Sequence, residues 1–259
     1  VDSLIQLDPI RLSWALALTA VAIGLSSWQR LGLEWNLAIA TARTVVQLLV
    51  VGYVLEIVFA LRSPWVVLTV IGVMLVIAAT VARNRISKKV PKLMPLVSGA
   101  ILVSSVLTLS YVNLVIIQPE TWYEPQYLIP LAGIVFGSAM NAAAIAGERL
   151  ASTINASQLE IETHLSLGAT PGEAIATYRK EAVKAGLIPI LNQMAVVGIV
   201  TLPGIITGQL LSGVSPFNAA LYQILIMIML SFASALTAIL VTQGIFRQFF
   251  NSVAQLTLH

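Results

Sequence analysis

FNAALYQILIMIMLSFASALTAILVTQGIF, residues 217–246, runs its whole length without an Asp, Glu, Lys or Arg. An α-helix crosses the ~30 Å apolar core of a bilayer in about 20 residues, so this stretch spans with length to spare. Lipid offers the backbone no hydrogen-bond partner, which restricts membrane crossings to helices and closed barrels. The apolar residues form one continuous run rather than short alternating segments, and that selects the helix.

The rest of the chain repeats the pattern. Candidate spans fall at 9–28, 37–58, 64–82, 94–117, 126–149, 186–211 and 217–246. Of the 259 residues, 58% are hydrophobic and 10% charged, whereas a soluble domain carries roughly 25% charged residues. The expectation is an all-α polytopic membrane protein, with about seven transmembrane helices forming a single domain over 1–259. Pro64, Pro95, Pro189 and Pro216 lie close to the starts of spans, where proline is tolerated. The first run carries Asp8, Pro9 and Arg11 at its front and no small-residue cleavage site, so it reads as a retained helix. The absence of cysteine removes disulfides, thiolate metal sites and cysteine nucleophiles. A net charge of +3 gives no reason to expect a nucleic-acid partner.

Loop charge sets the orientation. The loop after the third span holds Arg83, Arg85, Lys88, Lys89 and Lys92; the loop after the fourth holds Glu120 and Glu124 and no base. The positive-inside tendency puts the first in the cytoplasm and the second outside, with the N-terminus external and the C-terminus cytoplasmic. Of the 14 Lys and Arg, all but Arg11, Arg43 and Arg62 then fall on the cytoplasmic side. That is the arrangement of a bacterial-type plasma (inner) membrane protein. Trp122, Tyr123 and Tyr127 suit an outer interfacial belt.

Residues 150–185 form the longest connection, on the cytoplasmic side. Ser157-Gln158-Leu159-Glu160 and Thr170-Pro171-Gly172-Glu173 both match the capping box, and Gly168 is a natural helix stop. The spacing predicts a short helix over about 158–167, a tight corner, and a new helix from 171 feeding the sixth span. Ile161, Leu165 and Gly168 share one face of that short helix. So short a helix is marginal alone and needs a surface to lie on. It carries Glu160 and Glu162 but no Lys or Arg, so a protein partner suits it better than lipid headgroups.

The segment Glu162-Thr163-His164 followed by Gly168 resembles the coupling-helix signature of ABC transporter permeases. More widely, "ARTVVQLLVVGYVL" (42–55), "FGSAMNAAA" (136–144), "LSLGATPGEA" (165–174) and "VGIVTLPGIITGQLLSGVSPFNAALYQILIM" (197–227) are similar to the FetB-like (UPF0014) permease family. That family is of the iron-export type, with relatives among plant aluminium-tolerance permeases. The resemblance implies the membrane subunit of an ATP-driven exporter, metal ions being its cargo. A separate ABC ATPase subunit would dock on residues 158–170, with Glu160, Glu162, His164, Leu165, Leu167, Gly168 and Ala169 as the contact set. ABC importers usually carry two alanines where this chain has Thr163 and His164, and a Leu-Pro closer to the glycine than Leu202-Pro203 stands here. Both differences count against an importer.

The chain contains no Gly-Lys dipeptide and so no phosphate-cradling P-loop. It is expected to bind no cofactor and to be no enzyme; ATP and Mg would belong to the partner subunit. So small a chain suits a symmetric permease homodimer in membrane lipid, with two ATPase subunits.

Within the spans, Arg43 has two readings. Charge at membrane depth marks function or pairing, or the side chain snorkels to the interface. Gln47, one turn on, adds to a polar pathway. Met140 and Asn141 divide between pathway and packing. Gly133 and Gly137 read as packing glycines beside small residues. Asn192, Gln193 and Met194 open the sixth span and join the pathway candidates. Pro203, Gly204 and Gly208 predict a bend there, and Gly204, Gly208 and Ser212 a small-residue stripe, so the bent helix is expected to serve as a gate or a close dimer contact. Gln209, Tyr222 and Gln223 are candidates for bonds between spans, and Gln209 and Gln223 also for the pathway. His164 and His259 have no second histidine nearby, so metal ligands would come from Glu56, Glu120 and Glu124 or from neutral carbonyls and amides. Besides the importer, an exporter of a small polar solute remains an alternative. An ion-coupled secondary transporter lacks its mid-membrane carboxylate here, and an intramembrane hydrolase lacks a His or Asp at depth.

Overall fold

A computed structural model describes the backbone of residues 9–61, 63–86, 92–251 and 255–256, and the side chains from Ser13 onward. Asp8, Arg62, Lys88, Lys89 and His259, and the side chain of Arg11, lie outside the described residues. Regular structure among the described residues is helical. The order is α1 (Pro9–Trp28), α2 (Glu34–Leu61), α3 (Pro64–Ile86), α4 (Leu93–Tyr111), a π-helical turn (Val112–Ile117), α5 (Pro125–Ala156), α6 (Gln158–Ser166), α7 (Pro171–Ala174), α8 (Ala176–Val196), α9 (Gly204–Leu211) and α10 (Pro216–Gln248).

The chain forms two compact units, Val1–Arg62 and Ser63–His259. In the first, α1 packs on α2, and the buried Ser26 hydroxyl donates to the Glu34 carboxylate at 3.0 Å and accepts from the Leu33 amide. In the second, α5 is the central helix, touching α3, α4, α8 and α10. Its buried face is built from small residues, Ala132, Ala139, Ala142, Ala143 and Ala146 among them, which let neighbouring backbones come close. Ser104 of α4 and Thr237 of α10 share a 2.6 Å hydrogen bond, and Ser138 of α5 and Ser234 of α10 share one of 2.7 Å. Hydroxyls thus tie α4 and α5 to α10.

Several sequence expectations change. Among the described residues five helices, α2, α3, α4 with its π turn, α5 and α10, are long and apolar enough to cross a membrane, and α1 is a further apolar helix. The sixth expected span, 186–211, is not one helix. α8 starts earlier, at Ala176, and stops at Val196. Residues 197–203 are then non-helical, with Gly198 at φ +79, before α9 resumes. Pro203 therefore bends no helix: it is the N-cap of α9, in extended conformation. Pro189 lies inside α8 rather than at a span's start, because the helix reaches back into the charged segment before it. Asn192, Gln193 and Met194 accordingly stand in the last turns of α8 instead of opening a span. Gly137 faces open space rather than a packed neighbour, and Gly133 meets only the flexible end of Met74. The close approach to backbone comes instead at Gly186 of α8, while side chains of Ile86 and Leu96 crowd Gly147 and Gly244.

Candidate functional site

The corner between α5 and α8 is built from local chemistry. Ser157 separates α5 from α6, but makes no side-chain cap, contrary to the first capping-box expectation. The helix hardly ends there: the Ser157 amide still donates to Thr153 O, and the Ile161 amide to Ser157 O.

α6 ends as its sequence predicts. Gly168 sits at φ +92 with open space around it, so the backbone conformation, not crowding, calls for glycine. Its amide donates to Leu165 O and the Ala169 amide to His164 O, each at 3.0 Å, the paired bonds of a Schellman stop. Thr170 then caps α7. The Glu173 amide donates to the Thr170 hydroxyl oxygen, while the Thr170 amide and hydroxyl donate to the Glu173 carboxylate at 2.8 and 2.7 Å. Those bonds, the hydroxyl's first and the amide's second, hold the Glu173 carboxyl below its ordinary value of 4.5.

The corner has an inner and an outer face. Ile161, Ala174 and Ile175 are buried in the core of the second unit, with half-buried Leu165 and Tyr178 packed against it. Outward point Glu160, Glu162, His164 and two leucines, Leu159 at 79% and Leu167 at 81% exposure. Of the expected contact set, Glu160, Glu162, His164, Leu167 and Gly168 are exposed, whereas Leu165 and Ala169 are half-buried. Leu159 was not anticipated. Its signal was its register: Ile161 and Leu165 make the i, i+4 stripe that turns inward, and Leu159 falls off it.

Several polar residues of the expected spans line three grooves of the second unit. Asn141 and Gln193 meet in a cavity of about 240 Å³, beside Gly137, Pro189 and the Ser138–Ser234 pair. Met194 and Gln223 share another of about 290 Å³ with Gly198 and Met227. Gln209 lines a third, of about 390 Å³, with Gln126, Tyr127, Asn218 and Tyr222. The bonds expected of Gln209, Tyr222 and Gln223 do not form: the Gln209 Oε1, Tyr222 hydroxyl and Gln223 Oε1 are buried without a hydrogen-bond partner. Their neighbours across these grooves are largely apolar.

Met140 is half-buried against the core and Asn192 exposed, and neither lines these three cavities. Arg43 and Gln47 are exposed one turn apart on α2, in the first unit, as is Glu56. Glu120 is exposed, and Glu124, the N-cap residue of α5, accepts from the Thr121 hydroxyl at 3.1 Å. Among the described residues no three His, Cys, Asp or Glu come together as a metal-holding group. A Cβ added at Gly204 or Gly208 of α9 would meet nothing within 4 Å, so the small-residue stripe is open at both glycines.

Among the described residues, five long apolar helices and a charged corner outside the apolar segments define an integral, polytopic α-helical membrane protein. The family model described as "Uncharacterised protein family (UPF0014)" matches residues 9–250, and the chain belongs to that family. It is 52% identical to "UPF0014 membrane protein slr1647" of Synechocystis sp., over 98% of each chain. It is 33% identical to "Probable iron export permease protein FetB" of Escherichia coli, over 95% of this chain and 94% of that one. With "Protein ALUMINUM SENSITIVE 3" of Arabidopsis thaliana it shares 32% identity over 95% and 88%. No solved structure matches the chain.

Proposed function

We propose that this chain is the membrane permease subunit of an ATP-driven ABC exporter of metal ions, coupled to separate ATPase subunits through residues 158–170. The observation that carries the reading is the corner itself. One face of α6 is fixed in the core by Ile161, its end is locked by Gly168 and the Thr170–Glu173 box, and Leu159 and Leu167 stand in solvent beside Glu160, Glu162 and His164. Exposed leucines on a rigid frame are anchors for a protein cleft. The cargo follows the name of the Escherichia coli relative, a probable iron export permease. ATP and Mg would be bound by the partner. Two copies of this chain, N-termini outside and C-termini in the cytoplasm of an inner-membrane-type bilayer, would enclose the path between them.

The test is ATP hydrolysis by a co-expressed candidate ATPase in liposomes, with and without this chain, while ferrous iron is titrated. Complex formation with metal-stimulated turnover, lost in Leu167→Asp and Gly168→Pro, is the expected result. No complex and unchanged hydrolysis would overturn the reading.

A further inference from the structure

We infer that the groove between α5, α8 and α10 is a water-filled stretch of the transport path, kept wet by Asn141 and Gln193; that it serves transport rests on the function proposed above. Its lining follows helical spacing on two walls, with Gly137, Ser138 and Asn141 on α5 and Gly186, Pro189 and Gln193 on α8. Ser138 shares its hydroxyl bond with Ser234 of α10. Asn141 and Gln193 are exposed, and neither side chain makes a hydrogen bond among the described residues.

Both amides lie where lipid would otherwise be the solvent. No Asp, Glu, Lys or Arg stands between Glu124 and Glu148, or between Lys184 and Arg247. Asn141 thus sits well inside a helix long and apolar enough to span, and Gln193 shares its groove. A side-chain amide both donates and accepts, and hydrocarbon satisfies neither need. Water satisfies both, and the cavity of about 240 Å³ has room for several molecules of it. Gly137 adds no side chain to fill that room and faces open space. The groove between α4 and α10, about 470 Å³, is the contrast. Leu107, Ile116, Leu225 and Phe232 line it, and the Thr108 hydroxyl there donates to Ser104 O. Lipid chains suit that one.

The chain has no cysteine, so each single replacement introduces one thiol at a known position. Only the thiolate attacks a methanethiosulfonate, forming a mixed disulfide and displacing methanesulfinate, and apolar surroundings suppress its ionisation. The rate therefore reads hydration. Full-length variants in nanodiscs of zwitterionic lipid are treated with a charged methanethiosulfonate. Asn141→Cys and Gln193→Cys should react within about tenfold of Leu167→Cys, at the solvent-exposed corner. Leu107→Cys, Phe232→Cys and Leu191→Cys, exposed but outside this groove, should react roughly a hundredfold more slowly. If Asn141→Cys fails to accumulate, Ser138→Cys, one turn earlier on the same wall, takes its place. A slow rate at either groove position, or equal rates at all the exposed positions, would overturn the proposal. Where the ATPase complex forms, the adduct at Asn141→Cys or Gln193→Cys should abolish metal-stimulated hydrolysis, and unchanged hydrolysis would take the groove out of the path. The labelling itself uses neither ATPase nor metal. Its failure would leave the coupling reading standing, and failure of the ATPase test would leave a hydrated groove without its motor.

Discussion

Gly186 of α8 lies so close to α5 that a Cβ built on it would stand 2.9 Å from the Cβ of Ala146 and 3.0 Å from the carbonyl oxygen of Ala142. The second contact is with backbone, which has little room to give. Gly186→Ala therefore drives α8 away from α5, an overpacking cost of about 1–3 kcal/mol. Adding Ala146→Gly should recover part of it. Unfolding in detergent, followed for both single variants and the double, checks this. Full additivity of the two changes would contradict the contact.

The outer and inner faces of α6 should separate in mutagenesis. Leu159→Asp and Leu167→Asp change residues that touch solvent, so the chain should accumulate and unfold as the wild type does while ATPase stimulation is lost. Ile161 is fully buried, and Ile161→Ala should cost about 2–5 kcal/mol of stability. If all three variants lose expression alike, α6 is core throughout and presents no docking surface.

Glu173 gives the corner a pH dependence of known sign. Its carboxyl is held below 4.5 by the Thr170 hydroxyl and amide. That contribution is complete above 4.5 and is lost as pH falls through the lower folded value. Hydrogen exchange at the Glu173 and Ala174 amides, corrected for intrinsic rates, should lose protection below pH 4.5. In Glu173→Gln the same amides should show no such step.

The Ser104–Thr237 bond, 2.6 Å long and fully buried, joins α4 to α10. In membrane proteins such pairs contribute about 0.6 kcal/mol, rarely beyond about 1.7. A double-mutant cycle with Ser104→Ala and Thr237→Val should give a coupling in that range. A value near zero would mean that the hydroxyls find equal partners elsewhere.

Much of this architecture could be read from the chain. Apolar length alone places α1 to α5 and α10 to within a few residues at most ends, because lipid leaves the backbone no other choice. The corner was legible for a different reason: Gly168 and Thr170-Pro171-Gly172-Glu173 act through bonds spanning only a few residues. What escaped depends on neighbours distant in sequence. Apolar character runs straight through "VGIVTLPG" (197–204), so hydropathy could not see that α8 ends at Val196. Gly133 and Gly137 carry a familiar packing spacing, yet the close contact falls at Gly186, which has no motif around it and is decided by Ala142 and Ala146 opposite. That Asn141 and Gln193 line one groove could not be read from the sequence for the same reason.

The junction at Ser157 has a mechanical meaning. Because main-chain bonds run across it from Thr153 to Ile161, α6 is joined to α5 without a slack tether. α5, with its 32 residues, is a rod of about 48 Å. It carries Asn141 and Ser138 at one groove and Tyr127 and Pro130 at another. A tilt of about 5° of such a rod moves its far end by roughly 4 Å, wider than a water molecule. Under the function proposed above, the small outer helix would be the short arm of a lever whose long arm forms a wall of both grooves.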